Sequence, residues 1–174
     1  MDPEVPLYER DPVAWNAYLA EGNAKQARKR VGADVLIRDE QGRILLVDPK
    51  YKPDWDLPGG MAEANESPAA AARREIKEEL GLDLDIGHLL VVDWVSPHGP
   101  WNDSLMFIFD GGVLSDDQAD ALHVVDRELM GLRFADPAEA MCLLRPYVGL
   151  RVRSALHALQ ENRSNYHERG DLPQ

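Results

Sequence analysis

The sequence predicts an α/β (α+β) chain folded as one enzyme-sized domain. Three observations predict it. Periodic segments succeed one another as helix, strands, helix, strands, helices. At 174 residues, 44% hydrophobic and 29% charged, the chain can bury one full core and nothing in it requires a second. A stretch of helix formers, with four consecutive alanines at Ala69 to Ala72, interrupts the strand segments in the middle of the chain.

The elements follow in order. Asp11-Pro12 starts a helix that runs to about Lys29, with Asp11 as its cap. Residues 1–30 form an N-terminal helical extension, and Trp15 and Tyr18 give it apolar surface to bury. Val31 to Arg38 alternates as a strand, Asp39 to Gly42 is a hairpin turn, and Arg43 to Val47 returns. Ser67 caps a helix with Pro68 at its first position, and Gly81 ends it. Ala71, Ala72, Ile76 and Leu80 supply its buried face. Strands are expected near Leu84 to Val95 and Ser104 to Asp110, joined by the loop SPHGPWND, with a further strand at Leu129 to Phe134. Asp136-Pro137 starts a short helix through Leu144, and Val148 to Glu161 reads as the last helix. The main domain spans 31–161, and the polar residues 162–174 read as a disordered tail.

Residues 60 to 82 read GMAEANESPAAAARREIKEELGL and carry most of the functional information. On a helix, Glu75, Glu78 and Glu79 stand at i, i+3 and i+4 and leave from one face. Three like charges this close repel one another, and a stretch that keeps them together has a cation to hold. The bland alternative is a solvated acidic face balanced by Arg73, Arg74 and Lys77. Oxygen-only ligands favour a hard ion, so Mg²⁺ (or Mn²⁺) is expected before zinc.

The spacing goes further. Gly60, five residues, Glu66, seven residues, then Arg74-Glu75-Ile76-Lys77-Glu78-Glu79-Leu80-Gly81-Leu82 resembles the signature of the Nudix hydrolases, the MutT-like family. The resemblance implies the Nudix fold, a mixed β-sheet sandwiched between α-helices, over roughly Val31 to Leu144. It implies that Glu66 and Arg74 pair structurally and brace the loop. It implies Glu75, Glu78 and Glu79 as metal ligands, with the Gly60 carbonyl. It also implies a metal-dependent pyrophosphohydrolase cleaving the diphosphate linkage of a nucleoside diphosphate joined to another moiety. Glu79 and Glu128 are the candidate proton acceptors, with Glu78 beside Glu79 in the catalytic set, and Glu63 is a candidate outer contact. For Glu128 the other reading is an exposed strand-edge glutamate.

Composition narrows the partners. A net charge of −12 argues against a nucleic-acid polymer and leaves a small-molecule nucleotide substrate, because metal ions can bridge acidic ligands and a diphosphate. KQARKR at 25 to 30 is basic and LSDDQADALHVVD at 114 to 126 acidic, and either fits a solvated face. The single cysteine, Cys142, lies in the apolar run AMCLL and reads as a buried thiol. No secretory signal and no membrane span are apparent, so a cytoplasmic location follows by elimination. The extension fits a packing helix, a dimer arm or a substrate lid, and its apolar surface makes a homodimer one expectation.

Substrate choice is the least legible part. Trp101, Pro97 and Trp55 are the candidate substrate contacts, with Trp101 placed to stack on a base. A proline 15 residues after Leu82 resembles the ADP-ribose pyrophosphatase subgroup, which tilts the choice to an ADP-ribose-like substrate over a nucleoside triphosphate. The alternative class is a non-catalytic, nucleotide-sensing Nudix domain. Such a domain usually lacks box carboxylates, and none is missing here.

Overall fold

The computed structural model describes residues 5–168. Its elements are α1 (Leu7–Arg10), α2 (Pro12–Lys25), β1 (Arg30–Asp39), β2 (Ile44–Pro49), β3 (Gly59–Met61), α3 (Pro68–Leu80), β4 (Leu89–Val95), β5 (Ser104–Leu114), α4 (Asp116–Ala121), β6 (Leu129–Ala135), α5 (Pro137–Leu143), α6 (Pro146–Glu161) and β7 (Asn165–Glu168). The strands form one mixed sheet in the order β6-β2-β1-β5-β4-β7, with β3 pairing antiparallel to the end of β1. β1 and β5 are parallel at its centre.

Alternation along β1 divides the core. Ala33, Val35 and Ile37 face α3 and pack with Ala71, Ala72, Ile76 and Leu80. Leu36 faces the other way and packs with Ile108 of β5 and with Val148, Val152 and Ala155 of α6. The sheet is therefore sandwiched between helices, as expected. Asp34 shares the α6 side of the strand and is buried there. At its other end β1 meets β3, with Ala33 opposite Gly60 and Asp34 opposite Gly59. This pairing holds the start of the box against the centre of the sheet.

Several boundaries differ from expectation. α2 stops at Lys25 because Gln26 turns extended, leaving residues 26–29 as a linker. Strand β4 begins at Leu89 rather than Leu84. Residues 82–88 form a loop whose apolar Leu82, Leu84 and Ile86 pack under α3 like strand residues without pairing as one. β5 runs on to Leu114, since β1 pairs with it as far as Asp39 after a register shift. The acidic stretch contains a short helix, α4, whose Ser115 and Gln118 form a reciprocal capping box. The expected disordered tail is corrected in its first part. Ser164 Oγ donates to the Leu89 carbonyl at 2.6 Å, and residues 165–168 add to β4 as parallel strand β7. Residues 169–174 of that tail, and 1–4 of the extension, lie outside the described residues. Cys142 is exposed, not buried; its apolar neighbours Met141 and Leu143 turn to the core instead. Among the described residues no helix is long and apolar enough to cross a membrane.

Candidate active site

Local sequence dictates the helix that carries the glutamates. Ser67 Oγ accepts the Ala70 amide at 3.2 Å, Pro68 occupies the first turn, and Gly81 closes the helix at φ 65° with its N–H on the Lys77 carbonyl. The apolar face of α3 is clamped to β1, which fixes the rotation of its acidic face.

Arg74 is the hub of that face. Its Nε and Nη2 fork onto Glu66 at 3.0 and 2.9 Å, and Nη2 also donates to the Met61 carbonyl at 3.1 Å. Nη1 donates to Glu75 at 2.8 Å and to Glu78 at 3.0 Å. Glu66 also accepts the Glu63 amide at 2.8 Å, which closes the loop between β3 and α3. These bonds, Arg74 first, hold the Glu66 carboxyl below the usual carboxylate range.

Glu75 and Glu79 sit deeper. The Glu75 carboxylate lies against the backbone of Gly60. Burial pushes its pKa up, against the pull of Arg74. Glu79 is 9% exposed and accepts the Gly59 amide at 2.9 Å. Burial first, then the charges of Glu75, Asp34 and Asp126, push its carboxyl up to about 8 against the lowering effect of the Gly59 bond. Glu78, by contrast, has a side chain 55% exposed.

The other expected residues scatter. The Glu128 side chain is exposed, and its backbone amide donates to Asp126 Oδ1 at 2.8 Å. Asp126 is a downstream carboxylate whose charge reaches Glu79. Trp55 is half-buried against the α6-side core, bridged to Leu144, with Arg133 over its ring at 5.7 Å. Pro97 is exposed in a turn that His98 and Trp101 close. Trp101 is exposed, with the Arg30 guanidinium 4.6 Å over its ring. One ring face is therefore already covered.

The sequence reading missed Asp34. Burial pushes its carboxyl up to about 7; Asp56 adds to the shift, and Arg151 and Lys52 oppose it. A lone acid inside the apolar run of β1 was the available signal. Asp126 carried no comparable signal, being one acid among many in its segment.

Among the described residues no three His, Cys, Asp or Glu side chains converge as they stand into a group able to hold a metal ion. Arg74 takes an oxygen of Glu75 and of Glu78, and the Gly59 amide takes one of Glu79. The donor set nonetheless suits a hard cation. All its donors are oxygen, and half-buried Glu75 and buried Glu79 disfavour their own charges until a cation compensates them. Turning Glu78 off Arg74 breaks an exposed ion pair worth at most about 1 kcal/mol.

The family model described as the NUDIX domain matches residues 28–158. A putative 8-oxo-dGTP diphosphatase of Bacillus subtilis (strain 168) is 52% identical over 50 residues, 29% of this chain and 34% of that protein. A putative ADP-ribose pyrophosphatase of the same bacterium is 46% identical over 52 residues, 30% of this chain and 25% of that protein. Diphosphoinositol polyphosphate phosphohydrolase 2 of Rattus norvegicus is 40% identical over 68 residues, 38% of each chain. These matches span between 25% and 38% of the relatives' lengths. Among solved structures, the MutT protein of Methanosarcina mazei Go1 superposes with a TM-score of 0.62 at 22% identity, over 80% of this chain and 100% of that one.

Proposed function

The chain belongs to the NUDIX domain family, and on that premise we propose that it is a metal-dependent pyrophosphohydrolase acting on a small substrate with a diphosphate linkage. One observation carries the reading: Glu79 is buried with its carboxyl pushed up to about 8, among other acids and on the same helix face as Glu75 and Glu78. Such an arrangement costs stability in a protein with no cation to bind.

The residues divide the work. Glu75, Glu78 and Glu79, with the Gly60 carbonyl, hold the cation, and Glu66 braces Arg74 behind them. When bound there, Mg²⁺ or Mn²⁺ would supply charge neutralisation for the diphosphate and for an attacking water. Glu79 is the proton acceptor, because the Gly59 N–H orients its carboxylate beside the other glutamates of the helix. Glu128, the more exposed of the two candidates, takes second place.

The relatives' printed substrates are an oxidised nucleoside triphosphate, ADP-ribose and a diphosphoinositol polyphosphate. A diphosphate group is common to all three, which supports the linkage and leaves the rest of the substrate open. The test is hydrolysis of a panel of these compounds with Mg²⁺ and with excess EDTA, products identified. Metal-dependent cleavage at the diphosphate is expected. Full turnover in EDTA overturns the mechanism, and nucleotide binding without cleavage of any compound favours the sensing alternative.

A further inference from the structure

The chain carries a formal net charge of −12, yet Arg28, Lys29 and Arg30 stand in succession where the linker enters β1. They line an open cavity of about 670 Å³ whose opposite wall is the box loop, including Met61, Glu63 and Asn65. That loop leads directly from Gly60 to Glu66, so the cavity adjoins the glutamate face of α3.

The three cations differ in state. Arg28 is exposed and makes no hydrogen bond or ion pair among the described residues. Lys29 pairs with Asp103. Arg30 is half-buried, its guanidinium stacked at 4.6 Å on Trp101, and its Nε is buried with no partner. A solvated basic run would leave all three side chains free in water. Here a tryptophan covers one guanidinium, whose side chain lines the cavity. Across the cavity, Glu63 opposes the cations, while the Glu66 carboxylate is neutralised by Arg74. Two guanidinium groups thus line one cavity, and guanidinium recognises phosphate through paired N–H donors.

We propose that this cavity is a second phosphate subsite, so that the substrate carries at least one phosphate beyond the diphosphate that is cut. The extra group is the terminal phosphate of a nucleoside triphosphate or a phosphate on a ring. An ADP-ribose-like compound, whose distal part is an uncharged sugar, leaves the subsite empty. The inference rests on the hydrolase reading above and reverses the tilt toward ADP-ribose taken from Pro97.

Two measurements test it. Steady-state kinetics with Mg²⁺ compare a nucleoside triphosphate, a diphosphoinositol polyphosphate and ADP-ribose on the wild-type protein and Arg28→Ala. Calorimetry in EDTA measures binding of inorganic tripolyphosphate to wild type, Arg28→Ala, Arg30→Ala and Glu63→Gln. The wild type should prefer one of the two phosphate-rich substrates, and which one identifies the carrier. Arg28→Ala should lower that preference over ADP-ribose about 10-fold through KM, the scale of one charge-assisted hydrogen bond. Tripolyphosphate binding should weaken in both arginine variants and strengthen in Glu63→Gln. Arg28 is exposed, so its variant keeps the fold. A wild type that prefers ADP-ribose, or tripolyphosphate binding equal in all four proteins, overturns the subsite. Failure to hydrolyse any compound overturns the hydrolase reading instead, and calorimetry then still decides the subsite.

Discussion

The carboxylate of Glu75 lies so close to Gly60 that a Cβ at residue 60 would sit 2.5 Å from its Cδ and Oε1. Real contacts of that kind do not occur, so Gly60→Ala must drive Glu75 off its position. Residue 60 lies outside the left-handed backbone region, so the change adds no backbone strain of its own. The expected outcome is a fall in kcat of about 10²-fold, the cost of misplacing a positioned group, with the cooperative thermal transition retained. Wild-type kcat in Gly60→Ala would remove Glu75 from the working set.

The fork from Arg74 to Glu66 separates two kinds of glutamate. Glu66 serves Arg74 and the Glu63 amide, whereas Glu78 and Glu79 face the proposed cation. Glu78→Gln and Glu79→Gln should each cut kcat by at least ~10²-fold, because the site's work is electrostatic. Glu66→Gln should lose more thermal stability and less activity. Paired melting curves and kinetics check this. A Glu66→Gln protein as stable as wild type and as inactive as Glu79→Gln would reverse the roles.

Much of this site is legible in the sequence because its signals are local. Ser67, Pro68 and Gly81 set the ends of α3, and helical spacing then sets which residues share a face. The braces that need long-range pairing are not local. Nothing near Gly59 in sequence indicates that its amide will meet Glu79, since β1 brings the two together. Asp126 reaches Glu79 only because residues 125 and 126 donate their amides to the Glu79 carbonyl at the end of α3. Strand β7 was hidden for a similar reason. A four-residue polar strand at a sheet edge has no hydrophobic period to reveal it.

Asp34 makes stability depend on pH. Its carboxyl rises from 3.8 to about 7 on folding, chiefly through burial. Between those values the folded protein keeps a proton that the unfolded chain has released. Its contribution is therefore full below the unfolded value and is lost as pH climbs through the window. Asp34→Asn keeps a neutral side chain at every pH. The variant's melting temperature relative to wild type should thus be higher at pH 8 than at pH 4.5. An equal difference at both pH values would mean that Asp34 ionises normally in the fold.

Helix α2 draws the least support from its own domain. None of its residues is buried, and Val13, Tyr18 and Leu19 are 80%, 62% and 47% exposed. Trp15 stacks on Tyr18 at 5.5 Å and meets Tyr8 edge-on at 6.2 Å, so the aromatics cluster with one another and not with the sheet. A helix of 14 residues is marginal alone in water. Its apolar residues form no single face, but Val13, Tyr18 and Leu19 stay exposed, and a second copy of the same helix would cover them by symmetry. Light scattering at micromolar concentration should give a homodimer, and Trp15→Ala with Tyr18→Ala should give a monomer that keeps its hydrolytic activity. A wild-type monomer whose circular dichroism is unchanged by the double substitution would mean that α2 needs no partner, and the dimer would fall.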